Sequence, residues 1–268
     1  MPSMKKKLVR RTAIIVATVA VFVAARTDPF DEWLRAGTYV AVEAVITRIN
    51  AARHEVWVMQ SPSMIEEYVR EHTVRKLQIG AGETQLPGWL NSDIERADGL
   101  VYVDATKTMP LEDGSFHYVF SEHVIEHLGY AEGMHMLKET YRILAPGGKV
   151  RIATPNLLQF VALFQQEKTD EMQHYLQGKL AWHGWPKHAT SECFILNLQM
   201  RSFGHRFLYD PETLKVVLTG TGFESLREFK VGESDDPHLR GIEQRRKEKW
   251  IPPLNDYETM IFQPVKPY

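Results

Sequence analysis

Hydrophobic and polar positions change their rhythm several times along this chain. From Asp31 to about Arg75 apolar residues recur at helical spacing, as in "RAGTYVAVEAVITRINAARHEVWVM", which predicts a helical lead-in over 31–73. Within it "SPSMIEEYVREH" offers Ser61 as an N-cap with Pro62 in the first turn, the pattern of a fresh helix start. From Val74 onward, short β-branched runs alternate with helical patterns. "VRKLQIGAG", "LNSDIE", "GLVYVDA", "FHYVFSEHV" and "KVRIATPN" read as five successive strands. Before the last of them Met134, Leu137, Tyr141 and Leu144 recur at i, i+3, i+7 and i+10, and Pro146-Gly147-Gly148 stops that helix.

The rhythm then breaks over 157–207 into a stretch rich in His, Trp and Gln, too long for a plain connection and expected to be a substrate-binding insertion or lid. Regular structure resumes over 208–268. "YDPETLKVVLTGTGF" carries Asp210 as N-cap, Pro211 at the first position, Glu212 in the first turn and Gly222 at the end. "FESLREFKV" and "YETMIFQPV" close the pattern as two more strands. Strands and helices in this order predict an α/β architecture with a Rossmann-like, seven-stranded, mostly parallel sheet and helices on both faces. Its cofactor-binding half is expected over 74–156.

The first 30 residues do not fit that picture. Five basic residues precede an uncharged run from Thr12 to Ala25, 14 residues long. A straight helix needs about 20 residues to span a bilayer, so spanning requires Arg10 and Arg11 to snorkel and extend the apolar length back to Leu8. Three readings stand: a membrane anchor over 8–25, a cleavable signal ending at Val23-Ala24-Ala25, or a buried or interfacial helix. The positive charges come first, which orients the following domain away from the cytoplasm. A domain that draws on a cytosolic cofactor, which the glycine turn taken up below suggests, would require the opposite. The reading that satisfies both is a membrane-associated protein whose short helix lies in or loops back from the inner leaflet, with a cytoplasmic catalytic domain.

Composition adds limits. With 32 Lys and Arg against 34 Asp and Glu, the chain has no global charge to recruit nucleic acid. Cys193 is the only cysteine, which excludes an intrachain disulfide and a cysteine metal cage. "RGIEQRRKEKW" is locally basic and reads first as a solvated helix face. No internal repeat or low-complexity segment is apparent.

The chemistry begins at "KLQIGAGETQLPGWLNSDIE". Gly80 and Gly82 let the backbone turn sharply after a strand and approach a ligand. A pyrophosphate fingerprint would place a third glycine where Gln85 stands, and would place the acidic residue about 20 positions on. Here Asp93 comes 11 residues after Gly82. A ligand with ribose and adenine but no phosphate, such as S-adenosylmethionine, tolerates both departures. Asp93 is then expected on the ribose hydroxyls, and Asp104 on the adenine amino group with the Ala105 amide facing the ring. Ligands sit beyond the carboxyl ends of parallel strands, where these residues should converge.

"LQIGAG", "PGWLNSDIE", "YVDATKTMPLEDGSFHYVFSEHVIEHL", "ETYRILAPGGKVRIATPN" and the stretch from "GHRFLYD" to "LRGIE" together resemble class I S-adenosylmethionine-dependent methyltransferases, over roughly Val74 to Glu243. The resemblance is to the type-11-like bacterial branch often associated with glycan and cell-envelope biosynthesis. It implies Gly80, Ala81 and Gly82 as the cofactor loop, Asp93 and Asp104 as above, and Ser121 and Glu122 along the methionine side. His117 departs from an acidic residue common in relatives, and Ala81 from a cysteine.

Methyl transfer from a sulfonium needs an aligned nucleophile and exclusion of water, with a base where the acceptor is a hydroxyl. His123 and His205 are the candidate bases. His127 is expected to pack with Glu126 against the following helix. His183 and His188 are candidate acceptor-loop residues, and Trp182, Trp185, Phe203 and Phe207 could stack on a ring. The histidine spacings match no short metal signature, so no metal is expected. The expected activity is O-methylation of a glycan, cell-envelope precursor or related small acceptor. The rivals are a nicotinamide-dependent sugar dehydrogenase or epimerase and a non-catalytic tethered scaffold. The dehydrogenase needs a YxxxK pair, which the Tyr141 helix does not provide.

Overall fold

The computed structural model describes residues 29–185, 192–243 and 252–268. The apolar run Thr12–Ala25, His188 and most of the basic "RGIEQRRKEKW" stretch lie outside them. Among the described residues no helix is long and apolar enough to cross a membrane. The chain divides into two compact units, Met1–Met59 and Gln60–Tyr268. In the first, the described residues belong to helix α1 (Pro29–Glu71), and those whose side chains are described are mostly exposed.

In the second unit α1 continues through Pro62 to Glu71, so the expected helix start at Ser61 is corrected. Proline forfeits one backbone hydrogen bond inside a helix, and the Ser61 hydroxyl is engaged elsewhere. It accepts from the Tyr102 amide at 2.7 Å, tying the helix to the sheet. The Ser-Pro pair looked like a cap because the local pattern of a cap and of a tertiary tether are the same.

The sheet has seven strands: β1 (Lys76–Ile79), β2 (Leu90–Asp93), β3 (Val101–Tyr102), β4 (Phe116–Glu122), β5 (Leu144–Pro155), β6 (Glu224–Phe229) and β7 (Thr259–Val265). Their order is β3-β2-β1-β4-β5-β7-β6. The first five pair in parallel, and β7 is antiparallel to both its neighbours. The order reverses between β1 and β4, which opens a crevice at their carboxyl ends.

One face is helical. Leu77, Ile79, Val119, Val150, Ile152 and Phe262 pack against Ile65 and Tyr68 of α1, Met136 and Leu137 of α2 (Tyr130–Ile143), and Leu214, Val217 and Leu218 of helix Pro211–Thr221. That last helix has the expected ends: the Asp210 carboxylate accepts from the Thr213 amide at 2.7 Å, and Gly222 closes it at φ 107°.

The other face departs from the expectation of helices on both sides. Its described cover is loop. Phe120 packs with Leu86 and Trp89 from the β1–β2 link and with Leu239 and Ile242. Loops carry backbone polar groups that a sheet face must answer, and here polar side chains of the sheet do so. Gln78 donates to the Thr84 carbonyl at 3.0 Å, and Asn91 Oδ1 accepts from the Leu86 amide at 2.9 Å. Arg151, fully buried, pairs with Glu243 and donates to Gln263 Oε1 at 2.6 Å.

The described residues of 157–207 include the helices α3 (Leu157–Ala162), α4 (Asp170–Trp182) and α5 (Glu192–Arg201). Following α6 (Pro211–Thr221), the short helix α7 (Pro252–Glu258) joins them around Phe160, Tyr175, Leu176, Ile195, Leu254 and Tyr257. The sequence broke its strand–helix rhythm there because this cluster has a core of its own.

Candidate active site

Four strand ends build the site. After β1, Gly80 and Gly82 take φ of 68° and 54°, values that residues with a Cβ rarely adopt. A Cβ on Gly80 would stand 2.4 Å from Val124 Cγ2, so this turn is packed directly against the segment after β4. A Cβ on Gly82 would meet nothing within 4 Å. The Gly82 amide donates to Asp93 Oδ2 at 2.8 Å and the Glu95 amide to Asp93 Oδ1 at 2.9 Å. Each carboxylate oxygen therefore keeps lone pairs for a further donor.

Past β3, Asp104 Oδ1 accepts from the Thr106 amide at 3.0 Å and hydroxyl at 2.6 Å, and Oδ2 meets Lys107 Nζ at 2.8 Å. Burial works to raise this carboxyl, but the bonds from Lys107 and Thr106 prevail and hold it below the ordinary aspartate range. Asp104 is thus a turn residue as well as a rim residue.

At the end of β4, His123 has φ 52°, an uncommon value for a residue with a Cβ, and its amide donates to the Ala153 carbonyl at 2.9 Å. Its Nδ1 lies 3.0 Å from Glu126 Oε1, and its Nε2 lies 3.3 Å from Thr259 Oγ1. One 3-10 turn, Ile125–His127, then carries Glu126, which is 0% exposed and accepts from Thr154 Oγ1 at 3.0 Å. Burial pushes the Glu126 carboxyl up, and contact with His123 outweighs it, leaving it below the usual range.

These ends enclose a cleft of about 360 Å³. Its wall takes in Gly80, Asp93, Asp104, Ala105 and His123 from the expected residues, and adds Glu95, Val103, Val124, His127 and Leu128 among others. Ala81 and Ser121 are buried in the turn and in β4, and neither they nor Gly82, Glu122 and His205 form part of that wall. None of the described residues lining it is Lys or Arg, whereas Asp93, Glu95 and Asp104 are all carboxylates.

His127, for which packing with Glu126 against the following helix is the sequence expectation, lines the cleft. His205, outside the lining, packs against His127 with a ring-centroid distance of 4.9 Å. The amides of Arg206 and Phe207 donate to the Glu126 carbonyl at 2.7 and 3.2 Å, fastening the end of the insertion to the turn after β4. His205 Nδ1 lies 2.6 Å from the Gln199 carbonyl, and burial pushes the His205 ring below the ordinary histidine range. Nothing in the sequence joins positions 126, 127 and 205; only this cross-connection does.

From His205 a run of ring contacts leads outward. Phe203 lies 5.7 Å from His205, His183 lies 6.1 Å from Phe203, and Trp185 stacks on His183 at 5.0 Å. Trp185 and Phe194 then line a second cleft of about 430 Å³, with Arg201 and Asn197 among its polar residues. Trp182 contacts His183 at 5.1 Å, while Phe207 turns toward exposed Tyr130 and buried Tyr209.

Residues 89–152 match the family model described as "Methyltransferase domain". A search of curated proteins finds no significant match. Among solved structures, the chain is similar to phosphoethanolamine N-methyltransferase 2 of Haemonchus contortus, in complex with phosphomonomethylethanolamine and S-adenosylhomocysteine. The identity is 18%, with 73% of this chain and 49% of that one covered and a TM-score of 0.39. This chain thus spans about half the length of that protein. It is also similar to a SAM-dependent methyltransferase from Archaeoglobus fulgidus, at 17% identity, 77% and 95% coverage and a TM-score of 0.45. A possible histamine N-methyltransferase from Thermotoga maritima matches at 15% identity, 81% and 94% coverage and a TM-score of 0.42.

Proposed function

We propose that this chain, which carries a class I S-adenosylmethionine-dependent methyltransferase domain, methylates a hydroxyl oxygen on a ring-bearing small acceptor such as a glycan or cell-envelope precursor. The observation that carries the cofactor side is the charge of the cleft. Three carboxylates, of which Asp104 is paired with Lys107 outside the wall, and no lining cation suit a ligand with a positive sulfonium and disfavour one with a pyrophosphate. The link from β1 to β2 also forms no helix, so the nicotinamide rival lacks the helix N-terminus that would receive its phosphates.

The residues present fit the cofactor. Gly82 faces open space, Asp93 retains acceptor capacity on both oxygens, and Val103, Val124 and Leu128 supply apolar surface for a base. Asp93 would hold the ribose hydroxyls, and the Asp104–Ala105 segment would meet the adenine edge. Bound there, S-adenosylmethionine supplies an activated methyl group. The chain's remaining work is to place the acceptor and exclude water.

The acceptor side is read from the rings. The run from His127 through His205, Phe203 and His183 to Trp185 offers flat faces to a sugar or aromatic ring. Membrane association through residues 8–25, with a cytoplasmic domain, remains part of this proposal and would bring the enzyme to envelope precursors. Incubation with methyl-labelled S-adenosylmethionine and a panel of nucleotide sugars and envelope glycan precursors tests the acceptor class. Methyl uptake by one of them supports it; uptake only by amines or nucleic acids overturns it.

A further inference from the structure

We infer that Glu126, His127 and His205 form a binding site for a divalent transition-metal ion at the acceptor side of the cleft. One ligand-capable atom from each lies within 4.8 Å of the others. Two imidazoles and a carboxylate are a donor set that suits Zn²⁺ and neighbouring first-row ions, and it leaves coordination positions open. Zinc holds such ligands at about 2.0–2.1 Å, so around one ion they sit about 3.4 Å apart. Closing from the observed spacing takes a rotation of His127, which is only partly buried, toward the other two.

Three further observations point to an ion rather than to a chance cluster. Glu126 is 0% exposed, and its Oε1 faces an imidazole, His123 Nδ1 at 3.0 Å, in a contact outside hydrogen-bond geometry. A buried carboxylate is costly unless its charge is answered, and a cation on this oxygen would add to what His123 supplies. The His205 ring is already oriented: its Nδ1 lies 2.6 Å from the Gln199 carbonyl, which leaves Nε2 as the free lone pair. Metal-ligating histidines are commonly fixed by such an outer hydrogen bond. The Glu126 carboxylate has the equivalent support, since Thr154 Oγ1 donates to Oε2 at 3.0 Å.

The backbone holds the set together without an ion. The Arg206 and Phe207 amides clamp the His205 segment to the Glu126 carbonyl, so the backbones that carry the three ligands are already held side by side. His127 also lines the cleft, so a bound ion would have a coordination position toward an acceptor hydroxyl. Binding of the ion is independent of the methyl-transfer reading; its use in holding an acceptor oxygen rests on that reading.

The test is calorimetric titration of Zn²⁺ into the chelator-stripped full chain, purified without a histidine tag. The inference predicts one saturable site, weakened roughly 100-fold in His127→Ala and in His205→Ala, since even outer partners of a metal are worth 10–100-fold. His183→Ala should bind as wild type does. Should either variant melt early, the d–d absorption of Co²⁺ added to the wild-type chain reports nitrogen and oxygen ligation without a substitution. Absence of a saturable site, or full affinity in both variants, overturns the inference. S-adenosylhomocysteine titrated into the same samples separates a failed metal site from a failed cofactor site.

Discussion

The Gly82 amide donates to the Asp93 carboxylate at 2.8 Å, so the glycine turn after β1 and the acidic tip of β2 are already one unit. A ligand that reaches for Asp93 therefore meets a carboxylate oriented by the chain itself, at little ordering cost. The same arrangement makes the turn sensitive to small changes.

Gly80→Ala places a methyl 2.4 Å from Val124 Cγ2 on a backbone at φ 68°. The expected loss is about 1–3 kcal/mol from the strained dihedral and crowding. Pairing it with Val124→Ala should recover the crowding part and leave the backbone part. Denaturant unfolding of the single and double variants measures both, and equal loss in the two would show that Val124 is not the obstacle.

Arg151 and Glu243 form a buried pair on the loop-covered face, with the Gly232 amide donating to Glu243 Oε2 at 2.9 Å. Removing the cation alone strands a buried carboxylate, so Arg151→Met should cost about 3–5 kcal/mol. Replacing both, Arg151→Met with Glu243→Leu, should recover a large share. A double variant less stable than the single one would contradict this account of the second face.

Glu139 anchors the loop before β4. Its Oε2 accepts from Arg142 at 2.7 Å and from the Met109 amide at 2.8 Å. The Arg142 bonds, opposed by partial burial, hold its carboxyl below the ordinary glutamate value of 4.5. A depressed folded pKa contributes stability that is fully present above 4.5 and is lost as pH falls through the lower folded value. Glu139→Gln should therefore destabilise the chain at neutral pH, by about 1–3 kcal/mol. The gap to wild type should close on acidification below 4.5. Unfolding curves at several pH values read this directly, and a gap that widens in acid would refute it.

On the acceptor side, Phe203→Ala and Trp185→Ala remove faces from the ring run. Base or sugar stacking on an aromatic is worth about 1–3 kcal/mol, so acceptor KM should rise roughly 10-fold or more while affinity for S-adenosylhomocysteine stays unchanged. Steady-state kinetics with the identified acceptor checks it; a matching loss of cofactor affinity would place these rings elsewhere in the mechanism.

Much of this was legible in the sequence. All seven strands, the Asp210–Pro211 helix start and the Gly222 stop carry local signals, and local signals survive folding. The convergence of Gly80, Asp93 and Asp104 followed from parallel topology, which places strand ends side by side. Three features were not legible because they are tertiary. Ser61-Pro62 imitates a helix start but serves as a tether to Tyr102. Loops replace helices over Phe120 because Gln78 and Asn91 satisfy their backbone groups, and two buried amides do not announce themselves in a strand pattern. The Glu126–His127–His205 group depends on two amides reaching across from the insertion, and no spacing rule encodes that.

The most direct test of the central claim is calorimetric titration of S-adenosylhomocysteine into wild type and Asp93→Ala. Hydrogen bonds to a charged group are worth about 1.5–3 kcal/mol, so one saturable site should appear in the wild type and weaken roughly 10–100-fold in the variant. Wild-type binding of NADH with no response to S-adenosylhomocysteine, or equal affinity in the two proteins, would contradict it.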